Sequence, residues 1–99
     1  MYVSVSERGP ALRDADDTST FKVVATLSVD VDQELRAAAW GLVAGEDALI
    51  SVDAVRRAAS GEVSDDWPDS FAAMLAYARR KGWLSDDGGA IRAHIEREI

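Results

Sequence analysis

The 99-residue chain contains no cysteine and only one histidine, His94, so several kinds of chemistry are excluded at once. Without cysteine there can be no disulfide, no thiolate nucleophile and no cysteine-bound metal. A closed zinc site of nitrogen and sulfur ligands is not available within one such chain. No apolar run approaches the roughly 18 residues of a membrane span. Met1–Pro10 also lacks the apolar run of a signal peptide, so we expect a soluble cytoplasmic protein without a membrane partner.

Basic residues are few compared with acidic ones. The chain has 11 Lys and Arg against 18 Asp and Glu, which gives a formal net charge of −7. This balance argues against a general nucleic-acid binder that is held by phosphate contacts. Hydrophobic residues make up 47% of the chain, enough for one folded core at this length. Arginine also outnumbers lysine, which favours a bacterial source with a GC-rich genome.

The N-terminal fifth of the chain differs in composition from the rest. Tyr2–Ser6 alternates in the manner of a short edge strand. Glu7–Thr20 contains glycine, proline and three aspartates and has little apolar content, which predicts a flexible acidic arm. We therefore divide the chain into residues 1–20, a strand and a mobile arm, and residues 21–99, a single α+β domain.

Two later segments have the period-two pattern of half-buried strands. In Phe21–Val29, the odd-numbered residues form an apolar face that includes Leu27. Near the C-terminus, Ile91, Ala93 and Ile95 alternate with polar residues. Because a turn signal precedes them, Trp83–Ile95 is predicted to be a β-hairpin.

Three amphipathic segments with start and stop signals predict three helices. The first covers about Val31–Ala44, the second lies between Ser51 and Gly61, and the third runs from Trp67-Pro68 to Gly82. The expected fold is α+β, with the three helices packed on a small antiparallel sheet. That sheet is built from Phe21–Val29 and the C-terminal hairpin.

The order of these elements resembles a winged helix-turn-helix with an extra N-terminal strand. The matching pieces are Leu49-Ile50-Ser51 before the second helix, and Lys81-Gly82-Trp83-Leu84 before the turn and Ile91–Ile95. The resemblance covers roughly Asp30–Arg97 and concerns element order alone. It implies DNA contact through the start of the third helix and through the wing. Both places are acidic here, which predicts no tight duplex binding. The residues concerned are Asp65, Asp66, Asp69, Asp86 and Asp87.

No catalytic constellation is visible. His94 lies mid-strand between Arg92 and Glu96, the position of a solvated strand histidine. Aspartate pairs such as Asp16-Asp17 suit turns and helix starts, and no G-x-S-x-G nucleophile motif is present. We predict that the protein is not an enzyme and uses no cofactor or metal.

The candidate binding residues are one tryptophan and five basic side chains: Trp40, Arg56, Arg57, Arg79, Arg80 and Lys81. Trp40 is off the apolar face of the first helix, so it is either buried all round or part of an interface. The basic residues are either solvated helix residues or a site for an acidic partner. The leading hypothesis is a small accessory protein that binds a protein partner or a second copy of itself. The alternative is a winged-helix regulator that binds nucleic acid. Whether the protein has a small-molecule ligand is left open by the sequence.

Overall fold

A computed structural model describes residues 1–98, so Ile99, the end of the predicted α+β domain, lies outside the described residues. The described chain contains six strands and three helices. The strands are β1 (Tyr2–Ser6), β2 (Gly9–Arg13), β3 (Lys22–Ala25), β4 (Gly41–Ala44), β5 (Asp47–Ser51) and β6 (Ala90–Arg97). The helices are α1 (Val31–Ala37), α2 (Val52–Ala59) and α3 (Trp67–Lys81).

All six strands belong to one mixed sheet in the order β2-β1-β3-β6-β5-β4. The β1–β3 and β3–β6 pairs are parallel, and the other three pairs are antiparallel. The sheet curls into a half-barrel, so that α1 contacts β1 and β2 near one edge and β4 at the other. The prediction of three helices on a small antiparallel sheet is therefore wrong, because the sheet is larger than expected and is mixed.

The N-terminal segment contains a strand that the sequence did not predict. Gly9–Arg13 pairs with Tyr2–Ser6 as a tight hairpin, and β1 lies inside the sheet between β2 and β3 rather than at its edge. Inward-pointing Val3 and Val5 are buried, and Leu12 packs against the same core. Pro10 is tolerated because β2 is an edge strand.

The remainder of the predicted arm contacts the rest of the protein. The indole nitrogen of Trp67 donates to the carbonyl of Ala15 at 2.6 Å. The Asp16 carboxylate accepts from the backbone N–H of Ser64 at 3.0 Å and from its hydroxyl at 3.1 Å. The N-terminal nitrogen of Met1 donates to the Asp17 carbonyl. These bonds connect the segment to the start of α3 and to β1.

Amide hydrogen exchange is expected to be slow in β2 and slower at Asp17 than in an unstructured peptide. The Asp17 N–H donates to Asp14, and strand pairing protects part of Gly9–Arg13. The Trp67→Phe variant removes the bond to Ala15 while keeping an aromatic ring, so exchange at Asp17 should accelerate. Uniformly fast exchange through Arg13–Asp17 in the unaltered protein would restore the interpretation of a mobile arm.

The first predicted helix is about half as long as expected. The Asp30 side chain caps it as predicted, accepting from the Gln33 N–H at 3.1 Å, but α1 ends at Ala37. Ala39 then has a φ of +59°, which is not helical, and Gly41–Ala44 forms β4. Gly45 ends an element as predicted, although its φ of +66° serves the turn of the β4–β5 hairpin rather than a helix end.

The two other helices agree closely with the sequence. Ser51 caps α2 by accepting from the Ala54 N–H at 3.2 Å. Helix α3 begins at Trp67, with proline in its first turn, and ends at Lys81. Gly82 then adopts the left-handed conformation, with a φ of +78°. These ends follow from local backbone chemistry, which explains the agreement.

The predicted pairing of Phe21–Val29 with the C-terminal strand is present in part, but the two strands are parallel rather than antiparallel. β3 covers only Lys22–Ala25 and runs parallel to β6. Leu27, expected in the core, is 64% exposed because the chain turns after Ala25. Ile91 and Ala93 are buried as expected, and Ile95 is half-buried.

The outer edge of β4 is covered by α1. The Val43 N–H donates to Oδ1 of Asp32 at 2.8 Å, and Nε of Arg36 donates to the same carboxylate at 2.9 Å. These donors, the Val43 amide first, lower the pKa of Asp32 below its usual 3.8. The Asp32 carboxylate therefore occupies an edge position that another strand would otherwise use.

Asp32 is expected to stabilise the α1–β4 contact above pH 4 and to lose this effect in acid. A carboxyl whose pKa is lower in the folded state stabilises that state above the unfolded pKa, and less as the pH falls through the folded pKa. The Val43 amide should exchange faster in Asp32→Ala at neutral pH. Asp32→Asn, which keeps an acceptor oxygen, serves as the control. Identical Val43 exchange in all three proteins would contradict the assignment.

Candidate functional site

Two aromatic side chains are unusually exposed where α3 ends. Tyr77 is 46% exposed and Trp83 is 44% exposed, and their ring centroids lie 5.8 Å apart in an edge-to-face arrangement. The Trp83 backbone is held on two sides, because its N–H donates to Ala78 and its carbonyl accepts from the Arg92 N–H. The pair is therefore fixed by both α3 and β6.

A groove runs between α3 and the segment that leads into β3. Its volume is about 620 Å³. One wall is Thr18–Phe21, and the other is the face of α3 that carries Ser70, Met74 and Tyr77. Trp83 lines the same space. We call this feature the α3 groove.

Two cations lie beside the aromatic end of the groove. The Arg80 guanidinium carbon and Nζ of Lys81 each lie 5.6 Å from the centroid of the Tyr77 ring, whereas Arg79, in the same helical turn, extends its guanidinium toward Gly88. Within residues 1–98, no carboxylate lies within salt-bridge distance of these three side chains. We call Arg79, Arg80 and Lys81 the α3 basic cluster.

The outer face of the sheet differs, because its charges are paired. Lys22 pairs with Glu96 at 3.1 Å, and Asp47 contacts both Arg92 at 3.2 Å and Nδ1 of His94 at 3.9 Å. His94 is therefore one member of a solvated set of cross-strand polar side chains. No group of three or more potential metal ligands is found among the described residues.

The structure brings some of the predicted binding residues together and separates others. Arg80 and Lys81 lie together at Tyr77, whereas Arg79 extends toward Gly88 and Arg56 and Arg57 lie on the exposed face of α2. Arg56 lies 5.5 Å from the Phe71 ring centroid and 4.0 Å from Asp53. Trp40 packs against the core between Leu35 and β5. Its backbone N–H donates to the Leu35 carbonyl, and its carbonyl accepts from the Ser51 N–H in β5.

Sequence reasoning did not select Tyr77 and Phe21 as binding residues, and it assigned Trp83 to packing beneath the third helix. One signal was available for Tyr77, which is about 120° around the helix from buried Phe71. No comparable signal existed for Phe21, since its place in the groove depends on where β3 joins β6.

No family model matches this chain, and no curated protein or solved structure is significantly similar to it. Among the described residues, no helix is both long and apolar enough to cross a membrane. The groove, its aromatic pair and the adjacent basic residues are the features of this chain that bear on function.

Proposed function

We propose that this chain is a small non-catalytic accessory protein that binds an acidic polypeptide segment in the α3 groove. The observation that carries the proposal is the exposed Tyr77–Trp83 pair beside two cations, Arg80 and Lys81, without carboxylate partners. Exposed aromatic and arginine side chains are the residue types that most often anchor protein interfaces. The proposal also retains the bacterial source and cytoplasmic location that the composition favours.

The negative net charge does not prevent binding of an acidic segment at this place. At physiological salt the Debye length is about 8 Å, so distant carboxylates are largely screened. A bound acidic side chain would respond mainly to Arg80 and Lys81. The apolar part of the segment would cover Tyr77 and Trp83.

Charge and shape favour a polypeptide over nucleic acid. Only Arg80 and Lys81 lie beside Tyr77, and Arg92, which also lines the groove, is already paired with Asp47. Nucleic-acid binding relies on many phosphate contacts, each with counterion release. A short acidic segment with one apolar anchor requires fewer charged contacts.

Duplex DNA is expected to bind no more tightly than the non-specific background, roughly micromolar or weaker at physiological salt. The start of α3 carries Asp65, Asp66 and Asp69, which repel phosphates. Fluorescence anisotropy with random duplexes and genomic fragments measures this. Tight binding that weakens when the α3 basic cluster is neutralised would instead support the nucleic-acid hypothesis.

A defined peptide pair tests the proposed function. One peptide carries several glutamates around a single leucine anchor, and its partner has lysine at every glutamate position. At low micromolar protein, the acidic peptide should shift the fluorescence of Trp83 and the amide NMR signals of Tyr77 and its neighbours. The lysine peptide should leave both unchanged.

Variants then locate the site. Arg80→Gln combined with Lys81→Gln is expected to weaken the acidic peptide about tenfold, a loss consistent with two charge-assisted contacts. Arg56→Gln combined with Arg57→Gln makes the same change of charge on α2 and should have little effect. Equal losses in the two double variants, or binding of both peptides alike, would overturn the proposal.

A further inference from the structure

The two ends of helix α3 carry opposite charges. Its start is acidic, with Asp65, Asp66 and Asp69, and its end is the α3 basic cluster. Between them, Ser70–Ala78 contains no charged residue. The chain therefore carries, on one helix, both the basic cluster and an acidic segment of the kind that the cluster would bind.

The exposed side of α3 has a regular pattern. Asp69, Ala73, Ala76 and Arg80 are all exposed, and at 100° per residue they fall within an arc of about 60°. We call this line of four residues the α3 seam. On either side of its midpoint the seam has an alanine and then a charged residue, and the two charges are opposite in sign.

From this pattern we propose that a second copy of this chain binds through the α3 seam, with the two α3 helices antiparallel about a two-fold axis. The inference rests on the proposed function, because it identifies the bound acidic segment as the start of α3 in the second copy. An antiparallel arrangement places Asp69 opposite Arg80 of the second copy and repeats the same pair on the other side of the axis. A two-fold interface of this kind is closed and self-complementary.

The small side chains at the centre make the approach feasible. In this register Ala73 faces Ala76 of the second copy, and helices with small contact residues pack at interaxial distances near 8 Å. Asp69 and Arg80 are about 16 Å apart along the axis, so both charge pairs form at the same register. A parallel arrangement would place like charges together at each end.

Tyr77 and the α3 groove fit the same arrangement. Tyr77 projects from the flank of the seam, on the side where Ser70 and Met74 line the groove. Under the two-fold axis that flank of one helix lies beside the same flank of the other. Each Tyr77 ring therefore comes next to Ser70 of the second copy, which would cover part of both exposed aromatic pairs.

The sheet edges are poorer surfaces for self-association. The β2 edge contains Pro10, which lacks an N–H, and at the β4 edge the Val43 N–H already donates to Asp32. The outer sheet face carries the paired charges described above. A single helix face is small for an interface, so we expect a reversible dimer with a Kd on the order of micromolar.

Sedimentation equilibrium of charge-reversed variants tests the proposal. Asp69→Arg and Arg80→Asp should each weaken self-association at least tenfold, because each places two like-charge pairs across the axis. Mixing the two variants should restore a heterodimer, in which both pairs are again opposite in charge. Glu46→Arg and Arg57→Asp make matched charge changes at exposed positions away from the seam and should leave the dimer unchanged. Ala76→Glu, a change at an exposed helix position, should block association without disturbing the fold.

The outcomes separate this inference from the proposed function. A protein that is monomeric at millimolar concentration but binds the acidic peptide would overturn the dimer and leave the proposed function standing. A dimer that tolerates Asp69→Arg, or single variants whose mixture does not associate, would also overturn it. If neither the acidic peptide nor a second copy binds α3, both proposals fail.

Discussion

Replacing Phe71 by alanine is expected to lower the free energy of unfolding by about 3–5 kcal/mol. The ring is only 1% exposed and lies in the first half of α3, where it joins the helix to the core. It stacks on Trp67 with centroids 4.5 Å apart and an interplanar angle of 10°. The Arg56 guanidinium covers it from α2. The substitution removes these contacts together and leaves a cavity that three elements must close.

Urea unfolding, followed by far-UV circular dichroism, measures the effect. A domain of this size has a stability of about 5–15 kcal/mol, so the loss is a large part of the total. Tyr77→Ala is the matched control, because it removes an aromatic ring from the same helix at an exposed position, and it should cost less than about 1 kcal/mol. Similar losses in the two variants would show that α3 does not dock through Phe71.

Replacing Gly41 by alanine is expected to cost about 3–5 kcal/mol, because strain and a backbone clash act together. Gly41 has a φ of +150°, outside the range that side chains favour. A Cβ built there lies 2.0 Å from the carbonyl oxygen of Leu49 and 3.1 Å from Cα of Ile50. The clash is with the backbone of the paired strand, so no side-chain movement relieves it. β4 must separate from β5 at this end or shift along it.

Gly45→Ala provides the comparison. Gly45 also has a positive φ, of +66°, but open space surrounds its missing Cβ. Its substitution should cost only the conformational strain, about 1–2 kcal/mol. Thermal unfolding of both variants, together with amide exchange in β4, measures the difference. Equal destabilisation would show that close packing against Leu49 is not what Gly41 provides.

The features that sequence reasoning located correctly depend on neighbouring residues. Asp30 and Ser51 cap helices because a short side-chain oxygen reaches an N–H three residues later. Gly82 ends α3 because it adopts a left-handed conformation without steric cost. The three basic residues before it occupy the last turn of α3, as the sequence predicted. Each of these statements concerns one helix end, which a few residues determine.

The errors concern segments in which two structures compete. The pattern at Ala37–Ala44 suits a buried helix, but the same residues include Gly41 and end at a turn glycine, and Gly41–Ala44 pairs with β5 instead. Periodicity cannot separate a short apolar strand from a buried helix segment. In the sequence, Leu27 continues the alternating pattern of β3. In the structure, the chain turns after Ala25, so Leu27 is exposed to solvent.

By itself the sequence determined the ends of α2 and α3, the absence of thiol chemistry, the acidic balance and the charge polarity of α3, because each depends on residue identity and short-range backbone geometry. Only the tertiary structure decided the mixed sheet and the α3 groove. The parallel pairing of β3 with β6 joins residues more than 70 positions apart, and nothing local specifies that partner or its direction. That pairing brings Phe21 to the groove, and the fold of β6 holds Trp83 beside Tyr77. The candidate site is formed by long-range contacts, so its aromatic residues could be recognised only once the chain was folded.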